Sequence, residues 1–362
     1  MEAGIVGLPY IGKTMLFSAL TSRGADATAA GRPNVAVANV PDPRLQLLER
    51  FVETKKVVPA TLQVVDVAGL VAGASQGQGQ GNRFLTHVRS VDALLHVVRC
   101  FDDASIPHVA QTIDPLRDIE TVEVELILAD LEQVEGMTDK ARKQARTGDK
   151  AAKLRLDVIE ACASALGDGI PVSRIDNALV AGEEGQAVLR SMALLTAKPV
   201  LYVANVGEAD PDGSGPLPAK VRELAANRGA RCVAICAKVE AELAELDAAD
   251  RQEMLQAMGL HEPALAVLAR AAYQLLGLQS FFTAGPKEIK AWTIRVEALA
   301  PEAAGVIHSD LERGFIRAEV YGTADLEEHG SEQAIRAAGK LRVEGKSYAV
   351  QDGDVCHFLF NV

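Results

Sequence analysis

Gly7 and Gly12 are followed at once by Lys13 and Thr14, so residues 7–14 fit the spacing G-x-x-x-x-G-K-[ST]. These residue types, in this order, suit a polyphosphate. Glycines let successive main-chain N–H groups turn toward an anion, a lysine adds a point charge, and a hydroxyl is a hard ligand for a divalent cation. The local context fits as well. Ala3 to Val6 reads as a short apolar strand, and Lys13 to Ser22 as a helix with Met15, Leu16, Ala19 and Leu20 at helical spacing. The expected nucleotide contacts are Gly7, Leu8, Pro9, Tyr10, Ile11, Gly12, Lys13 and Thr14, with Lys13 at the β and γ phosphates and Thr14 ligating Mg²⁺.

A second element, QVVDVAGLVAGA, delivers Asp66 and then Gly69 from the end of a strand, a D-x-x-G arrangement. Asp66 is expected in the Mg²⁺ shell, through water, and Gly69 at the γ phosphate. The glycine-rich segment 73–81 that follows suits a switch loop ordered by that phosphate, the alternative being a plain surface loop. Where Ras-like GTPases orient the attacking water with a glutamine, this chain has Leu70, which cannot hold water. Hydrolysis must recruit another group, and the 7 histidines are the shortlist because imidazole can position or deprotonate water near neutral pH.

The base is addressed by a later strand end that reads Asn205, Val206, Gly207, Glu208 where a guanine-binding protein has N-K-x-D. The stacking lysine is missing and the aspartate is one methylene longer. Losing a charged bidentate contact removes discrimination of order 10²-fold or more, at roughly 1.5–3 kcal/mol per hydrogen bond to a charged group. Guanine selectivity is expected to be weak. Cys236, Ala237 and Lys238 pull the other way, since they resemble the S-A-K loop of guanine-binding proteins.

The elements that must hold these groups are legible in outline. Strand-like segments at 62–65, 93–99, 199–203 and 231–235, with helical stretches between most of them, imply an α/β fold with a mostly parallel sheet and crossover helices. From Asp130 to about Arg190 the chain reads as long helices, with a turn at 147–149, and KARKQARTGDKAAKLR there carries seven basic residues and one acid. That run is either a solvated face or a partner surface. Beyond Leu278, short alternating stretches and glycine turns indicate a small β-rich domain, with Phe281, Phe282, Trp292 and Phe358 expected in its core.

Composition bounds the rest. With 362 residues, 48% hydrophobic and 24% charged, the chain has room for two or three domains. A formal charge of −12 speaks against a nonspecific nucleic-acid coat, so no specific DNA binding is expected. The five cysteines, Cys100, Cys162, Cys232, Cys236 and Cys356, lack metal-ligand pairing and are expected as reduced, buried thiols. No apolar run reaches membrane-spanning length and no basic-then-apolar leader opens the sequence, so the expectation is a cytoplasmic monomer without a membrane partner.

GLPYIGKT, VDVAGLVAGASQGQGQGNRFL, HVVRCFDD, the NVGE strand end and the closing FFTAGPKEIKAWTIR, GFIRAEV and VQDGDVCHFLFNV together resemble the Obg-like ATPases of the YchF type, nearly end to end. The resemblance implies a P-loop ATPase domain of the translation-factor class in two parts, 1–129 and 191–278. A helical hairpin would be inserted at 130–190, and a TGS domain with a β-grasp fold would occupy 279–362. It also implies slow hydrolysis of ATP, preferred over GTP, and association with the ribosome, through large-subunit RNA or protein. The family's catalytic histidine falls on His108, and its base pocket on Asn205, the backbone near Val206, and Glu208. Two departures stand out. Tyr10 occupies the place of an asparagine in potassium-dependent members of the class, so potassium activation is not expected, and the usual switch threonine has no counterpart except by a shift of Thr28. The expected function is a slow ATPase switch on the ribosome. The competing expectation is an adenine-nucleotide sensor that binds the ribosome with vestigial hydrolysis.

Overall fold

The computed structural model describes residues 1–21, 34–67 and 80–361, so Thr28, Gly69, Leu70 and residues 73–79 lie outside the described residues. The chain forms two compact units, Met1–Ala36 with Gln63–Leu268, and Val37–Leu62 with Ala269–Val362. The described strands are β1 (Glu2–Val6), β2 (Asn34–Val40), β3 (Val57–Val58), β4 (Ala60–Asp66), β5 (Ala93–Cys100), β6 (Val200–Val206), β7 (Arg231–Ile235), β8 (Leu278–Ala284), β9 (Ile289–Arg295), β10 (Phe315–Gly322), β11 (Arg342–Glu344) and β12 (Asp354–Phe360).

In the first unit β4, β1, β5, β6 and β7 lie side by side in that order and all pair in parallel. Parallel strands need crossover connections, and helices supply them. The order places β1 between β4 and β5, so the strand that leads into residues 7–14 is internal to the sheet. The register sets Ile5 opposite Asp66 and Val6 opposite His96. This is the P-loop nucleotide-binding architecture expected from the sequence. β5 is buried along its whole length, which is why ALLHVVRC is apolar apart from His96 and Arg99. β2 was not foreseen: in NVAVANV both alternating sets are small or apolar, so the period marks no solvent face, although Ala36, Ala38 and Val40 turn inward while Val35 and Val37 are exposed.

Helix formation in the middle of the chain starts earlier than residue 130. A single helix, Pro115–Ala145, begins where Asp114 accepts hydrogen bonds from the Leu116 and Arg117 amides and Pro115 fills the first turn. Its 31 residues span about 46 Å. Ile119 in its first turns joins the sheet core, while Ile127, Val134 and Ala141 pack with Val158, Ile159 and Cys162 of the return helix Lys150–Gly167. The expected turn at 147–149 is present. Gly148 has φ +80°, the Thr147 hydroxyl donates to the Gln144 carbonyl, and Asp149 caps the return helix. Midway along the long helix, Asp130 is fully buried and accepts from the Leu195 amide (2.9 Å), the Thr196 amide (2.7 Å) and the Thr196 hydroxyl (2.8 Å).

The second unit carries a six-stranded mixed sheet, ordered β11-β10-β12-β8-β9-β3. Phe281, Phe315 and Phe358 pack with Ala300, Ala303 and Ala304 to form its core, and Phe282 is buried beneath the Arg44 guanidinium. Trp292 is half-buried, donates to the Thr283 hydroxyl at 2.9 Å and has the Lys290 ammonium over its ring. Burial raises all five cysteine thiols, Cys162 and Cys232 to about 11 and Cys100 to about 12, which makes them poor nucleophiles. Among the described residues no helix is long and apolar enough to cross a membrane.

His96 lies inside the parallel sheet, and burial, helped by the Arg228 and Lys13 charges, holds it down at about 3. The folded state therefore binds fewer protons than the unfolded chain between about pH 3 and the ordinary histidine value, and stability falls as pH drops through that window. The expected outcome for His96→Leu is a flatter stability profile between pH 6.5 and 5, by about 2 kcal/mol at 1.36 kcal/mol per unit. Urea midpoints measured across that range check it, and an unchanged slope would assign the acid sensitivity to another group.

Candidate nucleotide site

Residues 7–12 turn tightly because two positions admit only glycine. Gly7 has φ +142°, and a Cβ there would meet the Val97 carbonyl oxygen at 2.5 Å. Gly12 has φ +93°, and a Cβ would meet Asn205 Nδ2 at 2.4 Å. Leu8 and Ile11 are buried, so their side chains anchor the loop in the core and only their main chain can face a ligand. Tyr10 is 63% exposed and sits at φ +62°, a conformation that costs a bulky side chain of order 1–2 kcal/mol.

Lys13 opens the helix Lys13–Thr21 and is buried, with Nζ donating to the Gly7 carbonyl (3.1 Å) and the Leu8 carbonyl (2.5 Å). Burial lowers its ammonium to about 8 against the opposing pull of Asp66. Burial likewise raises the Asp66 carboxyl, against the influence of Lys13 and the Thr14 hydroxyl. Phosphate oxygens beside the ammonium and a cation beside the carboxylate each favour the charged forms. The Thr14 hydroxyl donates to Asp66 Oδ2 at 3.5 Å. A hydroxyl and a carboxylate this close are a hard oxygen pair that fits Mg²⁺. Among the described residues no cluster of three or more His, Cys, Asp or Glu side chains could hold a metal by itself.

Asn205 is buried, and both ends of its amide are engaged within the protein. Its Nδ2 donates to the Ile11 carbonyl at 2.8 Å, and its Oδ1 accepts from the Ala237 amide at 3.1 Å, bracketing the loop against the start of the helix Ala237–Glu245. The Val206 side chain is buried, which leaves its main chain for contact. Glu208 pairs with Lys238 at 2.7 Å, both side chains being more than half exposed. The lysine of the C-A-K turn thus engages the carboxylate that stands where a guanine-reading aspartate would be.

His108 is placed differently from the others. Its ring hydrogen-bonds through Nε2 to Asp118 Oδ2 at 2.8 Å, and Nδ1 accepts from the Ala110 amide at 3.1 Å. Gly7, Ile11, Gly12, Lys13, Thr14, Asp66 and Asn205 form one linked cluster, whereas the hydrogen-bond partners of His108 lie in its own loop and the long helix. The partner Asp118 was not foreseen. It falls in no recognisable pattern, and only the folded chain brings it to His108.

A family model described as "50S ribosome-binding GTPase" matches residues 2–130, and one for the YchF GTPase C-terminal domain, described as a protein of unknown function, matches residues 278–361. The chain is 47% identical to the Ribosome-binding ATPase YchF of Bacillus subtilis over 369 residues, covering 100% of both. The chain belongs to the YchF family. The Haemophilus influenzae member is 48% identical over 365 residues, with 100% of this chain and 99% of that one covered. Obg-like ATPase 1 of Pongo abelii is 40% identical, covering 100% and 92%. The solved structure of the Schizosaccharomyces pombe YchF GTPase superposes with a TM-score of 0.86 at 35% identity, covering 99% of this chain and 97% of that one. YchF membership accounts for the P-loop fold, the helical region and the C-terminal domain together.

Relieving the strain at position 10 should stabilise this YchF protein. Asparagine tolerates positive φ, and the exposed phenol ring loses little packing, so Tyr10→Asn is expected to add about 1 kcal/mol. Thermal unfolding checks the gain, and a lower midpoint would mean that the ring makes a contact worth more than the strain.

Proposed function

We propose that the chain binds ATP and hydrolyses it slowly to ADP and phosphate, as a nucleotide-controlled switch that associates with the ribosome. The observation that carries this reading is the buried Lys13 ammonium, held by the Gly7 and Leu8 carbonyls of its own loop and drawn by the charge of Asp66, which accepts from Thr14. The Gly7–Thr14 main chain would cradle the phosphates at the helix N-terminus, with Lys13 moving its donors from the Gly7 and Leu8 carbonyls to β and γ oxygens. Thr14 and Asp66 would hold Mg²⁺, which when bound supplies charge neutralisation at those oxygens. Water attacks the γ phosphorus as the bond to the β–γ bridging oxygen breaks, ADP leaves with that oxygen's electrons, and a released proton balances the step. His108 is the group proposed to position the water, and Gly69 would meet the γ phosphate.

The Glu208–Lys238 pair supports weak reading of guanine, because a carboxylate satisfied by lysine gives a base little to hold. Asn205 would support the base pocket from behind through its two hydrogen bonds. The proposed division into an ATPase domain, a hairpin at 130–190 and a TGS domain from 279 assigns ribosome contact to the last two, in a cytoplasmic monomer. Lys140, Arg142, Lys143 and Arg146, near the hairpin turn, are exposed, which supports a surface for RNA phosphates.

Without a glutamine or arginine finger, turnover of order 10⁻⁴ to 10⁻² per second is expected. Phosphate release from wild type, Lys13→Ala and His108→Ala decides the reading: both variants should fall to background, and equal rates in all three would end it. A second reading, nucleotide sensing with vestigial hydrolysis, is favoured by the occupied ring nitrogens of His108. It requires ATP and ADP to bind with similar affinity.

Association with ribosomes should weaken with salt, and neutralising Lys140, Arg142, Lys143 and Arg146 together should reduce the log–log salt slope by about 3 if each meets a phosphate. An unchanged slope in co-sedimentation across a salt series would move the contact elsewhere.

A further inference from the structure

The Tyr10 side chain sits in the phosphate loop without a partner. Among the described residues it makes no hydrogen bond and no ring contact, and it is mostly exposed. The other tyrosines are used differently. Tyr202, Tyr273 and Tyr321 are buried, and three phenols are engaged: Tyr202 accepts from Arg228 (2.8 Å), Tyr273 donates to the Gln279 carbonyl (3.0 Å) and Tyr348 donates to Asp354 (2.7 Å). The backbone sharpens the contrast. At φ +62° an aromatic residue is disfavoured, so position 10 holds a strained conformation while its ring is left largely to solvent. A residue that weakens the fold and bonds none of the described residues is accounted for by a contact made with a ligand.

The nucleotide is within reach of that ring. Leu8 and Ile11 turn their side chains into the core, and Lys13 folds back until Nζ meets the Leu8 carbonyl at 2.5 Å. Two Cα steps separate Leu8 from Tyr10, at most about 7.6 Å, so the phenol hangs from the rim of the same small turn that holds the ammonium. A tyrosine side chain is nearly that long. With no partner to fix it, the ring is free to change rotamer and swing toward a polyphosphate held at Lys13. There its O–H is a donor for a phosphate oxygen, and its face keeps water from one side of the phosphates.

We propose that Tyr10 is a substrate-binding residue whose hydroxyl donates a hydrogen bond to a phosphate oxygen of the bound nucleotide and whose ring covers the polyphosphate. The proposal rests on the ATP reading above. It adds to the main-chain cradle a side-chain donor that the G-x-x-x-x-G-K-[ST] spacing does not prescribe, and it gives the strained position a use.

The test is calorimetry of ATP with Mg²⁺ on the full chain in four forms: wild type, Tyr10→Phe, Tyr10→Asn and Lys13→Ala. Tyr10→Phe keeps the ring and removes only the donor, so ATP affinity should fall about tenfold, the loss expected for one hydrogen bond to a charged acceptor. Tyr10→Asn should bind at least as weakly as Tyr10→Phe, even with a higher thermal midpoint, because ring and phenol are both gone. Wild-type affinity in Tyr10→Phe, with binding by Lys13→Ala lost, overturns the hydroxyl as a phosphate donor and leaves the ATP reading standing. No heat of binding with wild type overturns the ATP reading, and this proposal with it. Nitration of tyrosine by tetranitromethane, followed on the Tyr10 peptide by mass spectrometry, gives a readout independent of affinity. The exposed ring should react readily in the absence of nucleotide and several-fold more slowly with saturating ATP and Mg²⁺. Equal rates in both conditions overturn the covering role of the ring.

Discussion

A lysine ammonium withdrawn from water is the constraint on which the rest of the site depends. Burying that charge is costly unless oxygen atoms surround it. The Gly7 and Leu8 carbonyls do so only because the chain turns back on itself between positions 7 and 12. That turn demands positive φ at Gly7, Tyr10 and Gly12, and Asn205 closes it from behind by binding the Ile11 carbonyl. Asp66 reaches the same place because β1 and β4 are neighbours in register. The phosphate loop is thus held by its own glycines, by an adjacent strand and by an amide nearly two hundred residues away in the chain.

The long helix Pro115–Ala145 ties together parts that differ in chemistry. Asp118, in its first turns, binds His108, Asp130 at its middle receives two buried amides and a hydroxyl, and Arg142 and Lys143 lie in its last turn. Arg89, at the end of the helix Gln80–Ser90, binds Gln133 on the same element. One helix thus touches the histidine loop, the helix following the glycine-rich segment and the basic turn.

Much of the architecture was legible beforehand because its signals are local. The parallel strands announce themselves as apolar runs, the hairpin turn by T-G-D, and the second unit by alternation; Phe281, Phe282 and Phe358 are buried in its core as expected. β2 was missed because its two faces are chemically alike, and the long helix starts before residue 130 because Asp114 and Pro115 form a start signal that outweighs composition further along. At the site, Gly7, Gly12, Lys13, Thr14 and Asp66 were legible because a fixed spacing encodes their chemistry. The tasks of Asn205, Lys238 and Asp118 were not, since each acts on a group distant in sequence.

The sequence by itself determined that a phosphate loop exists, that no glutamine follows the D-x-x-G element, and that the base-reading carboxylate is altered, since these are statements about residue types at fixed spacing. Tertiary structure alone decided that Asn205 braces the loop, that Lys238 satisfies Glu208, and that His108 is closed at both nitrogens. Hydrogen bonds of that kind depend on directions and distances between separate elements. Those are fixed only when the sheet and its helices pack.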